Sequence, residues 1–165
     1  MFFLGGLIAS VQSLALQPID YRVGMRADVP GILATMVRQA MNPLGINHDR
    51  FIVAEASGAT VGFAQIRPCG EDWELSSVYV EPEFRGRGIG SELVKRLLAN
   101  HAEQGRPLCD IYLLTLASRC GWYEALGWKQ TLTMPDSMEL EFVVGTPLAR
   151  LVADDSLVSM RHAGG

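Results

Sequence analysis

Apolar and polar positions along the chain alternate in some stretches and recur every three to four residues in others. Ile19 to Arg26 reads as a first strand. Ile32, Leu33, Met36, Val37 and Ala40 then recur at helical spacing, which predicts a helix to about Met41. Asp28 can cap it, and Pro30 is tolerated in its first turn. Asn42-Pro43 breaks the pattern, and Gly45 to Asp49 is read as a turn or a short second helix. Phe51 to Ala56 and Thr60 to Ile66 form a predicted hairpin about Ser57-Gly58, closed by Pro68 and Gly70. Trp73 to Val80 is the next strand, ended by Pro82.

The clearest helix runs from about Gly88 to Gln104. Ile89, Leu93, Val94, Leu97 and Leu98 line one face, and Glu92, Lys95, Arg96 and Asn100 the other. Gly105 and Pro107 stop it, and Asp110 to Leu116 follows as a strand. Arg119 to Leu126 is a short helix ended by Gly127. Trp128 to Thr131 and Glu139 to Val144 read as a closing pair of strands. A helix about Pro147 to Ala153 and a strand near Leu157 to Met160 complete the pattern. The expected organisation is a single α/β domain over residues 19–165 behind an apolar extension, residues 1–18.

Composition narrows this picture. A chain of 165 residues with 48% hydrophobic and 19% charged residues suits one globular domain. A net charge of -4 without a Lys/Arg-rich run excludes general nucleic-acid binding, which needs a basic stripe to neutralise phosphates. Cys69, Cys109 and Cys120 match no metal or redox spacing, and His48, His101 and His162 lie far apart, so no metal is expected. Met1 to Leu16 carries no charge, is shorter than a membrane span of ~20 residues, and lacks the basic start of a secretory signal. It reads as an extension packed on the domain or frayed, with removal, anchoring or organelle import as the alternative. The expected location is intracellular, in the cytoplasm, with no membrane partner.

The sharpest chemistry is Arg85-Gly86-Arg87-Gly88-Ile89-Gly90, between a strand and the long helix. Glycines let the backbone turn tightly and present its N–H groups with no side chain intervening. The first N–H groups of a helix lack internal partners, and the helix dipole adds positive charge there, so a phosphate or pyrophosphate binds. Arg85 and Arg87 add full charges. A Walker loop needs a Lys-Ser/Thr pair where this chain has Ile89-Gly90-Ser91. A dinucleotide fold needs a G-x-G-x-x-G frame and an acid ending the next strand. Here Gly86, Gly88 and Gly90 are spaced by two, and Asp110 opens the next strand.

Arg85-x-x-Gly88-x-Gly90, after Leu75-Ser76-Ser77-Val78-Tyr79-Val80, resembles the acetyl-CoA motif of the GNAT N-acetyltransferases. Trp122-Tyr123-Glu124-Ala125-Leu126-Gly127-Trp128 is similar to the family's F-Y-x-x-x-G-F segment. The resemblance covers roughly Ile19 to Val144. It implies a mixed central sheet of about six to seven strands flanked by helices on both faces, with acetyl-CoA at the splayed middle strands. It also implies an acetyl transfer to a primary amine by direct attack in a ternary complex. Under it, the amides of Arg85, Gly86, Arg87, Gly88, Ile89, Gly90 and Ser91 hold the CoA pyrophosphate. Val78 and Val80 offer backbone to the pantetheine arm, as to an added strand, and the Val78 amide polarises the thioester carbonyl.

An amine of pKa about 10.4 is neutral in only ~1 molecule in 10³ at pH 7, so the reaction needs a proton acceptor. Glu74 stands where the histone-acetylating branch of the family places its general base, with Asp72 in reserve. Tyr123 stands at the family position for a general acid near the leaving sulfur. Leu116 and Arg119 depart from the family's asparagine and alanine, which moves the expected pantetheine contact to Thr115. Cys120 has no His near it in sequence and the family transfers directly, so no thiol nucleophile is expected. The acceptor is set by Val29 to Asp49 and the closing strands. A small-molecule amine, amino acid or peptide amine is expected, and the mildly acidic chain favours a cationic one. A homodimer through Met1 to Leu16 is a possible assembly. The competing reading is a non-catalytic acyl-CoA sensor or interaction module of the same fold.

Overall fold

The computed structural model describes residues 17–164, apart from the side chains at 148 and 152. The expectations for Met1 to Leu16 therefore lie outside the described residues. In chain order the elements are β1 (Asp20–Val23), α1 (Val29–Arg38), β2 (Phe51–Ala56), β3 (Ala59–Cys69), β4 (Asp72–Val80), α2 (Ile89–Glu103), β5 (Ile111–Leu116), α3 (Cys120–Glu124), β6 (Trp128–Thr131), α4 (Asp136–Ala153) and β7 (Leu157–His162). The seven strands form one sheet in the order β1-β2-β3-β4-β5-β7-β6. It is mixed, since β4 and β5 run parallel while β1–β2, β5–β7 and β6–β7 are antiparallel. The chain divides into two compact units, residues 17–64 with Ser77–Arg96, and Gln65–Ser76 with the residues from Leu97 onward.

In the first unit, α1 lays Ile32 and Met36 on Phe51, Val53, Phe63 and Tyr79. Phe63 meets Phe51 edge-on at 5.9 Å and Tyr79 at 5.4 Å between ring centroids. Full burial of each such side chain contributes about 1.5–3 kcal/mol, so this cluster fixes α1 on the sheet. Pro30 sits in the first turn as expected, but Asp28 makes no side-chain cap. Its carboxylate is taken by Arg22 at 2.7 and 2.8 Å and by the Met25 amide at 2.6 Å. The helix also stops short of Met41. Ala40 takes φ +52° and the Met41 amide bonds back to the Met36 carbonyl at 2.8 Å, a Schellman stop.

In the second unit, the closing pair differs from the sequence reading. β6 pairs with β7, from Trp128↔His162 to Thr131↔Ser159, and β7 in turn pairs with β5. Glu139 to Val144 is not a strand but the first half of α4. The alternation Glu-Leu-Glu-Phe mimics a strand over four residues. Over a longer stretch, inward positions recur at Met138, at Glu141 and Phe142, and at Gly145 and Thr146, the period of a helix. Tertiary packing decides the matter, because Met138 is 1% exposed and buries against Cys69 and Tyr112, with Leu114 and Met134 beside them. Pro147 lies inside this helix rather than at its start. Its missing N–H forgoes the bond to the Val143 carbonyl.

Candidate active site

The β3–β4 hairpin turns at Gly70-Glu71 and sets Arg67 against Glu74. Arg67 donates from Nε and Nη2 to the same oxygen, Oε2 of Glu74, at 2.8 Å each. Nη2 also reaches Glu141 Oε2, on α4, at 3.3 Å. Glu74 is 4% exposed and Arg67 7%. Burial pushes the Glu74 carboxyl above the usual range against the pull of the Arg67 guanidinium, and the Glu141 charge pushes the same way as burial. A carboxylate so placed takes up a proton more readily than an exposed glutamate, as a general base requires. Asp72, the reserve candidate, is half-buried and has no part in this group among the described interactions.

The parallel ladder between β4 and β5 has two rungs, Trp73↔Ile111 and Glu74↔Tyr112. Three residues beyond Glu74, Ser77 takes φ +59° in mid-strand. Positions 63 and 67 share a parity on β3, whereas their β4 partners, Tyr79 and Glu74, do not. One extra residue is thus inserted in β4, a bulge at Ser77 that re-aims the backbone before Val78.

In the first unit, β4 ends with the Tyr79 hydroxyl donating to Glu81 at 2.8 Å and the Glu81 amide bonding the Val61 carbonyl at 2.8 Å. A 3₁₀ turn, Pro82–Phe84, leads into the glycine turn. Gly86 and Gly88 take φ +74° and +77°, and a Cβ at either would meet nothing within 4 Å. Backbone conformation alone, not crowding, demands glycine there. The Gly88 carbonyl accepts from the Glu92 amide at 3.0 Å, so the Ile89, Gly90 and Ser91 amides open α2 without partners in the helix. The arginines are anchored. Arg85 Nε donates to the Val80 carbonyl at 2.9 Å, which leaves that oxygen one lone pair, and Arg87 donates to the Gln17 carbonyl at 2.7 Å. Gly88→Val strains the turn by roughly 1–2 kcal/mol. If the turn holds the pyrophosphate of CoA, as the sequence leads one to expect, this change lowers acetyl-CoA affinity about tenfold, measured by calorimetry.

A cavity of about 240 Å³ in the same unit is lined by Asp28, Thr35, Thr60, Tyr79 and Glu81 among others. Its carboxylates are already paired, Asp28 with Arg22 and Glu81 with Tyr79 and, at 3.7 Å, Arg38.

Tyr123 lies on α3 in the second unit, partly buried, edge-on to Trp122 at 4.7 Å and to Trp128 at 6.3 Å. Burial pushes its phenol up, opposed by the Arg119 charge and a hydrogen bond from Thr115. The hydroxyl therefore carries its proton at neutral pH. Thr115, the expected pantetheine contact, is buried on β5. Among the described interactions no hydrogen bond or ring contact joins Glu74 to Tyr123. Cys120 is buried, and burial pushes its thiol up, which makes it a packing residue rather than a nucleophile. Among the described residues no group of three or more His, Cys, Asp or Glu could hold a metal ion, and no helix is long and apolar enough to cross a membrane.

Sequence reasoning missed Arg67 and Glu141. The hairpin turn at Gly70-Glu71 places 67 across from 74 and could have revealed the first. Glu141 was hidden because its segment read as a strand.

Residues 47–130, half of the chain, match the family model described as Acetyltransferase (GNAT) domain. An uncharacterized N-acetyltransferase of Archaeoglobus fulgidus is 31% identical over 104 residues, covering 57% of this chain and 67% of the relative. Another, of Methanocaldococcus jannaschii, is 27% identical over 95 residues, 51% of this chain. The match spans only 41% of that relative's length. N-acetylglutamate synthase from Neisseria gonorrhoeae, solved with coenzyme A and N-acetyl-glutamate, superposes with a TM-score of 0.63 at 16% identity. That superposition covers 87% of this chain and 35% of the synthase.

Proposed function

As the chain belongs to the GNAT acetyltransferase family, we propose that it transfers the acetyl group of acetyl-CoA to a primary amine. The observation that carries this reading is the turn at Gly86 and Gly88 opening α2, where the Ile89, Gly90 and Ser91 amides have no partner within the helix and a pyrophosphate binds such amides. The amides from Gly86 to Ser91 hold the CoA pyrophosphate, whereas that of Arg85, expected among them, is already taken by the Pro82 carbonyl at 3.2 Å. Val78 and Val80, beyond the bulge at Ser77, offer backbone to the pantetheine arm.

Glu74 accepts a proton from the acceptor's ammonium group through a bridging water, as its burial requires. The neutral amine attacks the thioester carbonyl, and the Val78 amide hydrogen-bonds the oxyanion that forms. The C–S bond breaks as the amide C–N bond is completed, and the nitrogen gives up its second proton to solvent. Tyr123 gives its proton to the departing thiolate and regains one from solvent. No metal takes part in this scheme. The acceptor is a small amine, amino acid or peptide amine, with cationic acceptors favoured by the chain's acidity.

The test is thiol release from acetyl-CoA against polyamines, lysine, α-amino acids and peptides. Turnover above the amine-free control is expected for one of these classes. Acetyl-CoA that raises the melting temperature without turnover on any of them would favour the binding-module reading.

A further inference from the structure

Glu141 comes from α4, outside residues 47–130 that match the GNAT model. It nevertheless shares the one guanidinium that holds Glu74. Three charges, two negative and one positive, thus meet where β3, β4 and α4 pack. As mere glue for α4 this is an expensive arrangement, since buried ion pairs are often matched or exceeded in stability by well-packed apolar residues. The geometry is also one-sided. Both Arg67 donors converge on Oε2 of Glu74, and Oε1 accepts no protein hydrogen bond among the described interactions.

We propose that Arg67 and Glu141 are positioning residues for Glu74: Arg67 pins one oxygen so that the other is directed at the proton to be taken, and Glu141 draws part of the guanidinium away so that the base is not held too firmly as the anion. This rests on the reading of Glu74 as general base. The two partners then act in opposite directions. Arg67 alone would stabilise the carboxylate and weaken it as a base, whereas burial with Glu141 but without Arg67 would keep it protonated. The other groups on this side are Asp72 on β4, Cys69 on β3 bonded to Ser137 of α4 at 3.0 Å, and Tyr112 on β5, over which Arg161 of β7 stacks at 5.2 Å. The Cys69 thiol is pushed up by burial and stays neutral. Glu141 is thus the carboxylate that competes for the Arg67 guanidinium.

The experiment is the pH dependence of kcat/KM for the acceptor, whose acidic limb reports the base in the free protein. Glu141→Gln is expected to move that limb to lower pH by about half a unit or more, and Arg67→Met to move it to higher pH. Arg67→Lys, which keeps the charge but not the fork, should leave the limb near its original position and lower the rate. Melting temperatures accompany each variant. Should Arg67→Met fail to fold, Glu141→Gln and Arg67→Lys still decide. A limb that stays put in Glu141→Gln, while Glu74→Gln abolishes it, overturns the proposal and leaves the base in place. A limb and rate that survive Glu74→Gln overturn the base itself.

Discussion

Glu74→Gln is expected to lower kcat by roughly 10²–10³-fold while leaving the KM for acetyl-CoA nearly unchanged. The amide keeps the size of the side chain and can still accept a hydrogen bond from Arg67, but it takes up no proton near neutral pH. Because burial raises the proton affinity of the carboxyl, the wild type should lose activity on acidification at a higher pH than an ordinary glutamate would give. The sign follows from the chemistry. The deprotonated form is the active one, so the rate climbs as pH rises through the carboxyl's pKa, and the glutamine variant lacks that climb. Steady-state rates from pH 5 to 9 read both effects. A glutamine variant with wild-type kcat would remove Glu74 from the reaction.

Tyr123→Phe should cost less, about 10–10²-fold in kcat. The difference lies in the leaving group. A thiol of pKa near 8.5 departs as a thiolate more readily than an amine sheds its proton, so an acid helps less than a base does. Phenylalanine retains the edge-on packing against Trp122 and Trp128 and removes only the hydroxyl. The melting temperature should therefore fall only slightly, and the rate far more. Since burial pushes the phenol up, the descending limb at high pH should vanish in the variant. Equal turnover of the two proteins at saturating substrates would make Tyr123 a packing residue.

What the sequence disclosed and what it hid follow from how local each signal is. The turn at Gly86 and Gly88 was readable because positive φ and an amide-lined helix start are properties of a few adjacent residues. The strand pattern up to β5 was readable for the same reason, as was the Gly127 stop after α3. Glu139 to Val144 misled because four alternating residues satisfy a strand, and only the burial of Met138 against Cys69 and Tyr112 turns the segment into a helix. The Asp28 cap failed because Arg22, six residues earlier, offers a stronger charge-assisted partner than a helix amide. The bulge at Ser77 leaves no mark in the sequence, since serine is not a residue that announces a left-handed backbone. Arg67 and Glu141 needed long-range pairing. One is seven residues from Glu74 across a hairpin, and the other arrives from a helix far along the chain.

The insertion of β7 between β5 and β6 bears on how this unit is made. During synthesis β5 and β6 emerge first and α4 next. Until Leu157–His162 leaves the ribosome, β5 is paired on its β4 side alone and β6 has no partner strand. A chain that lacks β7 exposes one edge of β5 and leaves β6 wholly unpaired, the kind of surface that chaperones cover and that aggregates grow from. Translation speed across the last turns of α4 and through β7 therefore sets how long those edges stay bare.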